Sequence, residues 1–215
     1  MEGWQLRYSK LCRDFYERNT LTVAKELLGK YLIHNSIEGI TVGKIVEVEA
    51  YIGPDDPASH AYKGRRTSKT EVQFGPGGYA YIYQIYGKNF CFNVVTQKVG
   101  MPEVVLIRAL EPIKGLELMA KRRGFSQLTD KIIKELTNGP SKLCQAMGIG
   151  KSLYGIDLCG DVLFIAEPNP NQTFEIITTP RINIDYAGDA KHYNWRFLIK
   201  NNKFVSKPVL KEEKK

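Results

Sequence analysis

The stretch YLIHNSIEGITVGKIVEVEAYIG, residues 31–53, indicates which kind of sheet this chain forms. Two runs rich in aliphatic residues flank a turn-forming segment at 36–39, which predicts a pair of antiparallel strands. In the second strand, a period of two places two carboxylates and a tyrosine on one face: Ile45, Glu47, Glu49 and Tyr51. The other face of that strand is apolar: Val46, Val48 and Ala50.

Strands recur along the rest of the chain, and short helices separate them. Strands are predicted at 79–86, 90–96, 103–110, 161–167, 174–182 and 195–200. Helices are predicted from Asn19 to about Gly29 and at 111–123, 130–136 and 141–147. Because strands outnumber helices, we expect an α+β fold with a curved, mostly antiparallel β-sheet and packed helices. We expect a single domain over residues 1–215, with a basic tail from about 204 to 215.

The overall charge indicates a polyanionic partner. The 215 residues carry a formal net charge of +8, and the pI is about 9.2. Nucleic acid is the commonest partner of such a domain, although solubility alone can also account for a basic surface. The basic residues cluster in YKGRRTSK, 62–69, and in AKRRG, 120–124, as well as in the tail.

Several protein classes are not expected from the composition. No apolar run is long enough to cross a membrane, and residues 1–10 lack the apolar core of a secretory signal. The cysteines are scattered, which favours reduced thiols in a cytosolic protein: Cys12, Cys91, Cys144 and Cys159. The histidines have no metal-ligand spacing, so we expect no metal and no cofactor: His34, His60 and His192.

Glu49 is the first candidate for chemistry, since it ends a strand beside Tyr51 on the same face. A carboxylate beside aromatic residues can act as a general base for water, whereas a solvated edge face is the plain alternative. The strand leads into a long segment rich in Gly, Pro and Asp, 54–78, and such loops are usually functional or disordered. Within this loop, His60 offers a flat ring that can stack and form hydrogen bonds, although loop histidines are more often surface residues.

The stretch YAYIYQIYGKNFCFN, residues 79–93, concentrates tyrosines at a hairpin. Tyr79, Tyr81 and Tyr83 share one face, which suits core packing with the hydroxyls at the rim. Tyr86 has the other parity and precedes Gly87 at the tip, where the chain can turn sharply and leave the ring projecting.

Polar residues also occur where apolar ones are expected. Asn93 and Arg108 lie inside apolar strands, and an unpaired buried polar group costs about 1–3 kcal/mol. Each therefore needs either a structural partner or a ligand. In NGPSKLCQ, 138–145, Ser141 and Lys142 lie at a helix start, where a hydroxyl, an ammonium and free backbone amides can hold a phosphate.

Four long motifs occur in a fixed order along the chain. They are GKIVEVEAYIGPDDPASHAYKGRRT (43–67), FGPGGYAYIYQIYGKNFCFNVV (74–95), VLIRALEPIKGLELM (105–119) and NGPSKLCQAMGI (138–149). With them the chain resembles the alkyladenine DNA glycosylase family, the 3-methyladenine DNA glycosylases of the mammalian AAG (MPG) type. The resemblance implies a base-excision-repair enzyme without lyase activity. Such an enzyme flips a 3-methyladenine, hypoxanthine or ethenoadenine type of base out of duplex DNA and hydrolyses its N-glycosidic bond, leaving an abasic site.

The resemblance also implies roles for residues that match the family's motifs. Glu49 matches the general base that activates the attacking water, and Tyr51, His60 and Tyr83 match the residues that stack on the flipped base. Asn93 matches the residue that disfavours the 2-amino group of guanine.

Other matched positions concern the rest of the DNA. Arg108 matches a polar residue that lines the site, and Tyr86 matches the residue that wedges into the duplex. Lys142, with Ser141, matches backbone-contacting positions. The charge pattern adds phosphate contacts by Arg65, Arg66 and Lys88 and by the cluster at 122–123.

The chain departs from the family pattern at two places. Lys69, Thr70 and Gln73 stand where relatives often carry Arg, Asn and Met, and Lys88–Asn89 stands where they often carry Met and an aromatic residue. The resemblance implies duplex DNA with a damaged purine as the partner, no membrane, and a monomer that is cytoplasmic in a bacterium or nuclear in a eukaryote. One alternative is a non-catalytic nucleic-acid binding module. The other is a nucleosidase for free nucleosides, and the basic net charge argues against the nucleosidase.

Overall fold

The computed structural model describes residues 8–170 and 173–208. Its strands are β1 Tyr8–Lys10, β2 Tyr31–Ser36, β3 Gly39–Tyr51, β4 Ala80–Gln84, β5 Phe90–Thr96, β6 Glu103–Lys114, β7 Leu163–Pro168, β8 Ile176–Thr179 and β9 Arg196–Ile199. Its α-helices are α1 Arg13–Tyr16, α2 Thr20–Leu27, α3 Leu116–Arg122, α4 Asp130–Glu135 and α5 Pro140–Met147. Short 3₁₀ segments lie at Gly53–Asp55, Tyr62–Gly64, Glu71–Phe74, Lys151–Leu153 and Asp185–His192.

The strands of the described ranges form one antiparallel sheet of nine strands. The order is β1-β7-β2-β3-β6-β5-β4, with β9 paired to β3 and β8 paired to β9. Helices α2, α3 and α5 contact the sheet or one another, so the predicted α+β class is confirmed. No helix in the described part of the chain is long and apolar enough to span a membrane.

The two faces of the sheet carry different kinds of side chain. One face forms the main apolar core with the helices, and its central members include Val48, Phe92, Val94 and Ile107. On the other face, the register aligns one residue from each of four strands in a row: Glu49 of β3, Leu106 of β6, Asn93 of β5 and Tyr81 of β4. Because paired residues in a sheet share a face, this register brings the predicted carboxylate, amide and tyrosine together.

A β-bulge interrupts β3 between Ile45 and Glu47. The extra residue changes the alternation, and Ile45 packs in the same apolar core as Val46 and Val48. The prediction that Ile45 shares a face with the two glutamates is therefore wrong. Beyond the bulge, Glu49 and Tyr51 keep the predicted parity.

The helix predicted at 111–123 begins later than expected. Strand β6 continues through Glu111 and Pro112 because β3 is long enough to pair with them, at Lys44 and Gly43. The helix starts only at Leu116, after Gly115 has turned the chain with a φ of +80°. Glu111 and Pro112 therefore belong to strand β6 and do not begin a helix.

The C-terminal segment packs on the sheet as far as it is described. Phe204 and Val205 are buried, and Ser206 donates a backbone hydrogen bond to Glu47. The basic tail predicted from about 204 therefore begins as packed chain. Its last residues, 209–215, lie outside the described residues, as do residues 1–7 of the segment tested for a secretory signal.

Candidate active site

A groove of about 940 Å³ opens on the tyrosine-bearing face of the sheet. Segment 57–70 of the predicted long loop forms one wall, and β4 with the start of β5 forms the other. Lys151, Tyr154 and Tyr186 complete the lining. A smaller cavity of about 50 Å³ lies at Tyr51, Gln73, Asn93 and Val104, and the two cavities share His60, Tyr81 and Tyr83. The predicted long loop therefore forms part of the candidate site, because it encloses the space above the row of site residues.

Aromatic rings make the wall of the groove. The His60 and Tyr83 rings meet edge to face, with centroids 4.6 Å apart, and Tyr81 and Tyr83 lie 5.5 Å apart. The Tyr81 hydroxyl lies 2.7 Å from His60 Nδ1. Desolvation, with a smaller contribution from the charge of Arg65, lowers the pKa of His60, which favours the neutral imidazole. The wall therefore presents flat, uncharged rings to whatever enters.

Glu49 is completely buried behind this wall, and three groups hold its carboxylate. The Ile182 backbone N–H donates to Oε1 at 2.8 Å, whereas the Tyr51 hydroxyl and Arg108 donate to Oε2 at 2.9 and 3.2 Å. A carboxylate offers about four lone-pair sites, so about one site stays open on Glu49. Glu49 itself lines neither cavity, but Tyr51 lines the small one, so the Tyr51 side chain connects this carboxylate to the cavity.

Tyr51 remains a proton donor in this arrangement. Burial first, and the negative charge of Glu49 second, raise the pKa of Tyr51 well above its ordinary value. The guanidinium of Arg181 lies 4.8 Å from the centre of the Tyr51 ring and fixes the ring from the other side. The Tyr51 hydroxyl therefore stays protonated and directed at Glu49.

Glu47 has a different environment from Glu49, although both are fully buried on β3. Its carboxylate accepts from Arg108 Nε at 2.9 Å and Arg196 Nε at 2.8 Å. The Ser206 hydroxyl and backbone N–H supply two further hydrogen bonds, at 2.8 and 2.6 Å. The donors belong to Arg108, Arg196 and Ser206, and none of these residues lines either cavity, so Glu47 is a structural carboxylate placed away from the cavities.

Arg108 was predicted to line the base site, and the structure places it elsewhere. Its guanidinium bridges Glu47 and Glu49, and it does not line either cavity. Burial lowers the pKa of Arg108, but the charges of Glu49 and Glu47 outweigh this, and the net shift is upward. Arg108 is therefore a permanent cation that holds the two carboxylates, because the register shift of β3 and β6 directs it toward them.

The other residues predicted for the base site line the cavities: Tyr51, His60, Tyr83 and Asn93. Asn93 is buried, and its Nδ2 donates to the Tyr81 carbonyl at 3.0 Å. Beside it, Gln73 is fully buried, and neither of its amide atoms has a hydrogen-bond partner among the described residues. The small cavity therefore has a polar floor under aromatic walls.

A buried ion pair fixes the loop over the sheet. Arg181 donates to Asp56 with both terminal nitrogens and to the Ala50 carbonyl at 3.0 Å. Arg181 follows β8, so this contact connects the C-terminal part of the chain to the loop that walls the groove. Ile182 is the next residue along the chain, and its backbone N–H donates a hydrogen bond to Glu49.

Tyr86 projects from the tip of the β4–β5 hairpin, as predicted. Its side chain is 87% exposed, and its carbonyl accepts a hydrogen bond from the Asn89 backbone N–H at 3.2 Å. Gly87 has a φ of +61°, a conformation that L side chains rarely adopt, so glycine is required for this turn. Lys88 lies exposed beside it.

The predicted phosphate-contacting residues differ in whether another side chain of the protein already binds them. Arg65 lines the groove together with Lys69 and Lys151, and no carboxylate partner of Arg65 is found among the described residues. Arg66 instead forms two hydrogen bonds to Glu71, at 2.9 and 2.6 Å. Ser141 and Lys142 lie outside the groove lining, and Lys142 Nζ donates to Asn138.

The cluster at 122–123 has structural partners. Arg122 donates to Glu38 at 2.8 Å and to Ser36 at 2.9 Å, and so holds the β2–β3 turn. Arg123 donates to Gln145 on α5. Both guanidinium groups are therefore engaged in holding the fold, in contrast to Arg65.

Several residues of the site were not predicted from the sequence: Gln73, Tyr154, Lys151, Arg181, Ile182 and Tyr186. Most come from loops that are distant in sequence, and Ile182 acts through its backbone. Within residues 8–170 and 173–208, no group of three or more His, Cys, Asp or Glu residues is placed to hold a metal ion.

The geometry defines a class of site. Aromatic walls and an amide floor suit a flat heterocycle, and a buried carboxylate with an open lone-pair site suits activation of water. The basic residues at the rim suit a ligand that carries phosphates. Such a site fits the hydrolysis of a bond between a heterocyclic base and a nucleic-acid backbone.

Comparison with known proteins gives the family. The sequence profile of the methylpurine-DNA glycosylase (MPG) family matches residues 14–203. A Clostridium acetobutylicum protein named "Putative 3-methyladenine DNA glycosylase" is 56% identical over 208 residues, which cover 95% of this chain and 100% of that protein. Proteins of the same name from Desulfitobacterium hafniense and Bacillus cytotoxicus are 50% and 53% identical, over 92% and 90% of this chain and 98% and 97% of their own lengths.

The chain therefore belongs to the methylpurine-DNA glycosylase family, and the resemblance drawn from its motifs is confirmed. Membership makes it a DNA glycosylase, a hydrolase of base excision repair whose substrate is DNA.

Proposed function

We propose that this glycosylase extrudes an alkylated or deaminated purine from duplex DNA into the groove. Water activated by Glu49 then hydrolyses the N-glycosidic bond and leaves an abasic site. The observation that carries the proposal is the position of Glu49: it is fully buried and lines neither cavity itself, but it accepts a hydrogen bond from Tyr51, which lines the small cavity, and about one of its lone-pair sites stays open. The expected substrates are bases of the 3-methyladenine, hypoxanthine and ethenoadenine type.

Extrusion is needed because the glycosidic bond of a stacked base is inaccessible to the enzyme. Unpairing and unstacking cost a few kcal/mol, least for a damaged or mismatched base. Stacking on an aromatic side chain returns about 1–3 kcal/mol per base, and His60, Tyr83 and Tyr81 supply such rings along the groove. An alkylated purine that carries positive charge is also attracted by tyrosine faces.

The chemistry at Glu49 follows from its contacts. Its carboxylate accepts a proton from water as the water attacks C1′, the C1′–N bond breaks, and the base leaves with the bonding electron pair. The sugar becomes cationic in the transition state, and a fixed carboxylate stabilises that charge. Arg108, the Ile182 N–H and the Tyr51 hydroxyl hold the carboxylate, so it needs no reorganisation during the reaction.

The proposal includes hydrolysis without strand cleavage. A lyase reaction of the usual kind requires an amine that attacks C1′ to form an imine. None of the residues that line the small cavity is a lysine; Lys69 and Lys151 line only the outer groove. For Asn93 on the cavity floor, we propose rejection of guanine, because the buried side chain leaves no room for a 2-amino group.

A panel of duplex oligonucleotides, each with one candidate lesion, tests the function. We expect release of the free base and formation of alkali-labile abasic sites, without strand breaks before alkali and without an adduct trapped by borohydride. Binding to lesion duplexes without any base release would instead support a non-catalytic nucleic-acid binding module.

Tyr86→Ser is expected to reduce excision from duplex DNA about tenfold or more, and to reduce excision of the same lesion in single strands much less. The exposed ring at the hairpin tip can fill the gap that the extruded nucleotide leaves, and only a duplex has such a gap. Single-turnover rates on the two substrates measure the difference. Tyr193→Ser, which removes another exposed tyrosine away from the hairpin, is the matched control. Equal rates for wild type and Tyr86→Ser on the duplex would exclude the wedge.

Arg65→Ala is expected to weaken binding of damaged and undamaged duplex alike and to reduce the slope of log K against log salt by about 0.9. Arg65 lines the groove without a carboxylate partner among the described residues, so it is free to contact a phosphate. The matched control is Arg66→Ala, whose guanidinium is already bound to Glu71 and should contribute less. Fluorescence anisotropy at several salt concentrations measures both. A loss for Arg65→Ala that is confined to lesion DNA would assign this residue to base recognition instead.

A further inference from the structure

Gln73 is a buried polar side chain that the proposed chemistry does not use. It lies in the 3₁₀ segment Glu71–Phe74, which packs against β4, β5 and β6 below the groove. The side chain is fully buried, and it lines the small cavity together with Asn93 and Tyr51. Neither its amide oxygen nor its amide nitrogen has a hydrogen-bond partner among the described residues.

A buried amide without partners destabilises a folded protein, and an apolar side chain of similar size would avoid that loss. The amide approaches the Tyr81 hydroxyl closely enough to oppose the rise that burial causes in the pKa of Tyr81, but without the geometry of a hydrogen bond. The unused donor and acceptor therefore indicate a ligand that enters the cavity.

We propose that the Gln73 amide determines specificity by binding the Watson–Crick edge of the extruded purine. It favours bases that offer both a donor and an acceptor on that edge, such as hypoxanthine, over bases that offer no N–H donor there, such as ethenoadenine. The proposal rests on the proposed function, since it requires a purine in the groove. The neighbouring Asn93 has already committed its nitrogen to the Tyr81 carbonyl, whereas Gln73 keeps both groups available.

The chemistry of the bases makes the selection specific. A glutamine amide presents NH₂ donors and a carbonyl acceptor on adjacent atoms. Hypoxanthine presents the complement, an N1–H donor beside the O6 acceptor. In ethenoadenine, the added ring covers this edge with C–H groups and leaves no N–H donor there. Hypoxanthine therefore satisfies both atoms of Gln73, and ethenoadenine leaves the amide oxygen unpaired, which a site built for hydrogen bonding penalises.

Gln73→Met tests the proposal, because it keeps a similar volume and removes both hydrogen-bonding atoms. The measurements are single-turnover release of hypoxanthine and of ethenoadenine from matched duplexes, and the Tm of the free protein. Gln127→Met, the same change at an exposed position outside the groove lining, is the control. We expect Gln73→Met to slow hypoxanthine release at least tenfold and ethenoadenine release less than threefold, with an equal or higher Tm.

Other outcomes would overturn the proposal in distinguishable ways. Unchanged release of hypoxanthine would show that the base does not use the amide. Equal losses on both lesions with a lower Tm would show that Gln73 supports the fold, for example through a buried water, for which the cavity of about 50 Å³ has room. If wild type released neither base, the proposed function itself would fail, and the assignment of Gln73 with it.

Discussion

Glu49→Gln is expected to slow base release by a factor of about 10²–10⁴ while the affinity for lesion DNA stays close to that of the wild type. Glutamine keeps the shape of the side chain but cannot accept a proton from water or oppose the charge of a cationic sugar. The carboxylate is fully buried and held by Arg108, Tyr51 and the Ile182 N–H, so its negative charge is not needed to bind a polyanion. Single-turnover kinetics and anisotropy measure the two quantities separately.

The size of the loss decides the assignment of Glu49. A variant that kept more than a tenth of the wild-type rate would have lost less than about 1.4 kcal/mol of transition-state stabilisation, too little for the general base. Glu71→Gln is the matched control for charge removal, since this carboxylate is exposed and, among the described residues, is bound only to Arg66. It should retain wild-type rates.

Glu47→Gln is expected to destabilise the protein by about 3–5 kcal/mol, more than Glu49→Gln does. Glu47 is the carboxylate partner of Arg196 and shares Arg108 with Glu49. Without the Glu47 charge, Arg196 remains buried with no carboxylate among the described residues, whereas Arg108 still has Glu49. Urea denaturation of the two variants and of the wild type measures the difference.

The pair of substitutions separates chemistry from stability on one strand. We expect Glu47→Gln molecules that remain folded to release base at a rate near that of the wild type, because neither Glu47 nor any of the groups that donate to it lines either cavity. A Glu47→Gln variant that is as stable as the wild type and as inactive as Glu49→Gln would contradict this assignment. Glu47 would then be the candidate general base, and Glu49 the structural carboxylate.

The sequence predicted the parity of the site residues but not their register. Alternation placed Glu49 with Tyr51, and Tyr81 with Tyr83, on one face of their own strands. The row that joins Glu49, Asn93 and Tyr81 depends on how four strands pair, and pairing is a tertiary property. The bulge after Ile45 illustrates the limit, because one extra residue on β3 reversed the face of Ile45 without a local signal in the sequence.

Residues that act through long-range contacts were beyond sequence reasoning. Arg108 was recognised as a polar residue that needs a partner, but its partners Glu47 and Glu49 are known only from the structure. The sequence does not distinguish Arg66 from Arg65, and only the structure shows that the Arg66 guanidinium is bound to Glu71. Gln73 was noted only as a departure from the family pattern, because its burial depends on how the loop packs against β4, β5 and β6.

Stopped-flow fluorescence of a duplex that contains one ethenoadenine tests the central claim most directly, because this base reports its own unstacking. For the wild type, we expect a fast fluorescence change as the base enters the aromatic groove, followed by a slow change at the rate of base release. For Glu49→Gln, we expect the fast change with an unaltered amplitude and no slow change. A wild-type trace without the fast change at saturating protein, or a slow change that persists in Glu49→Gln, would contradict the account.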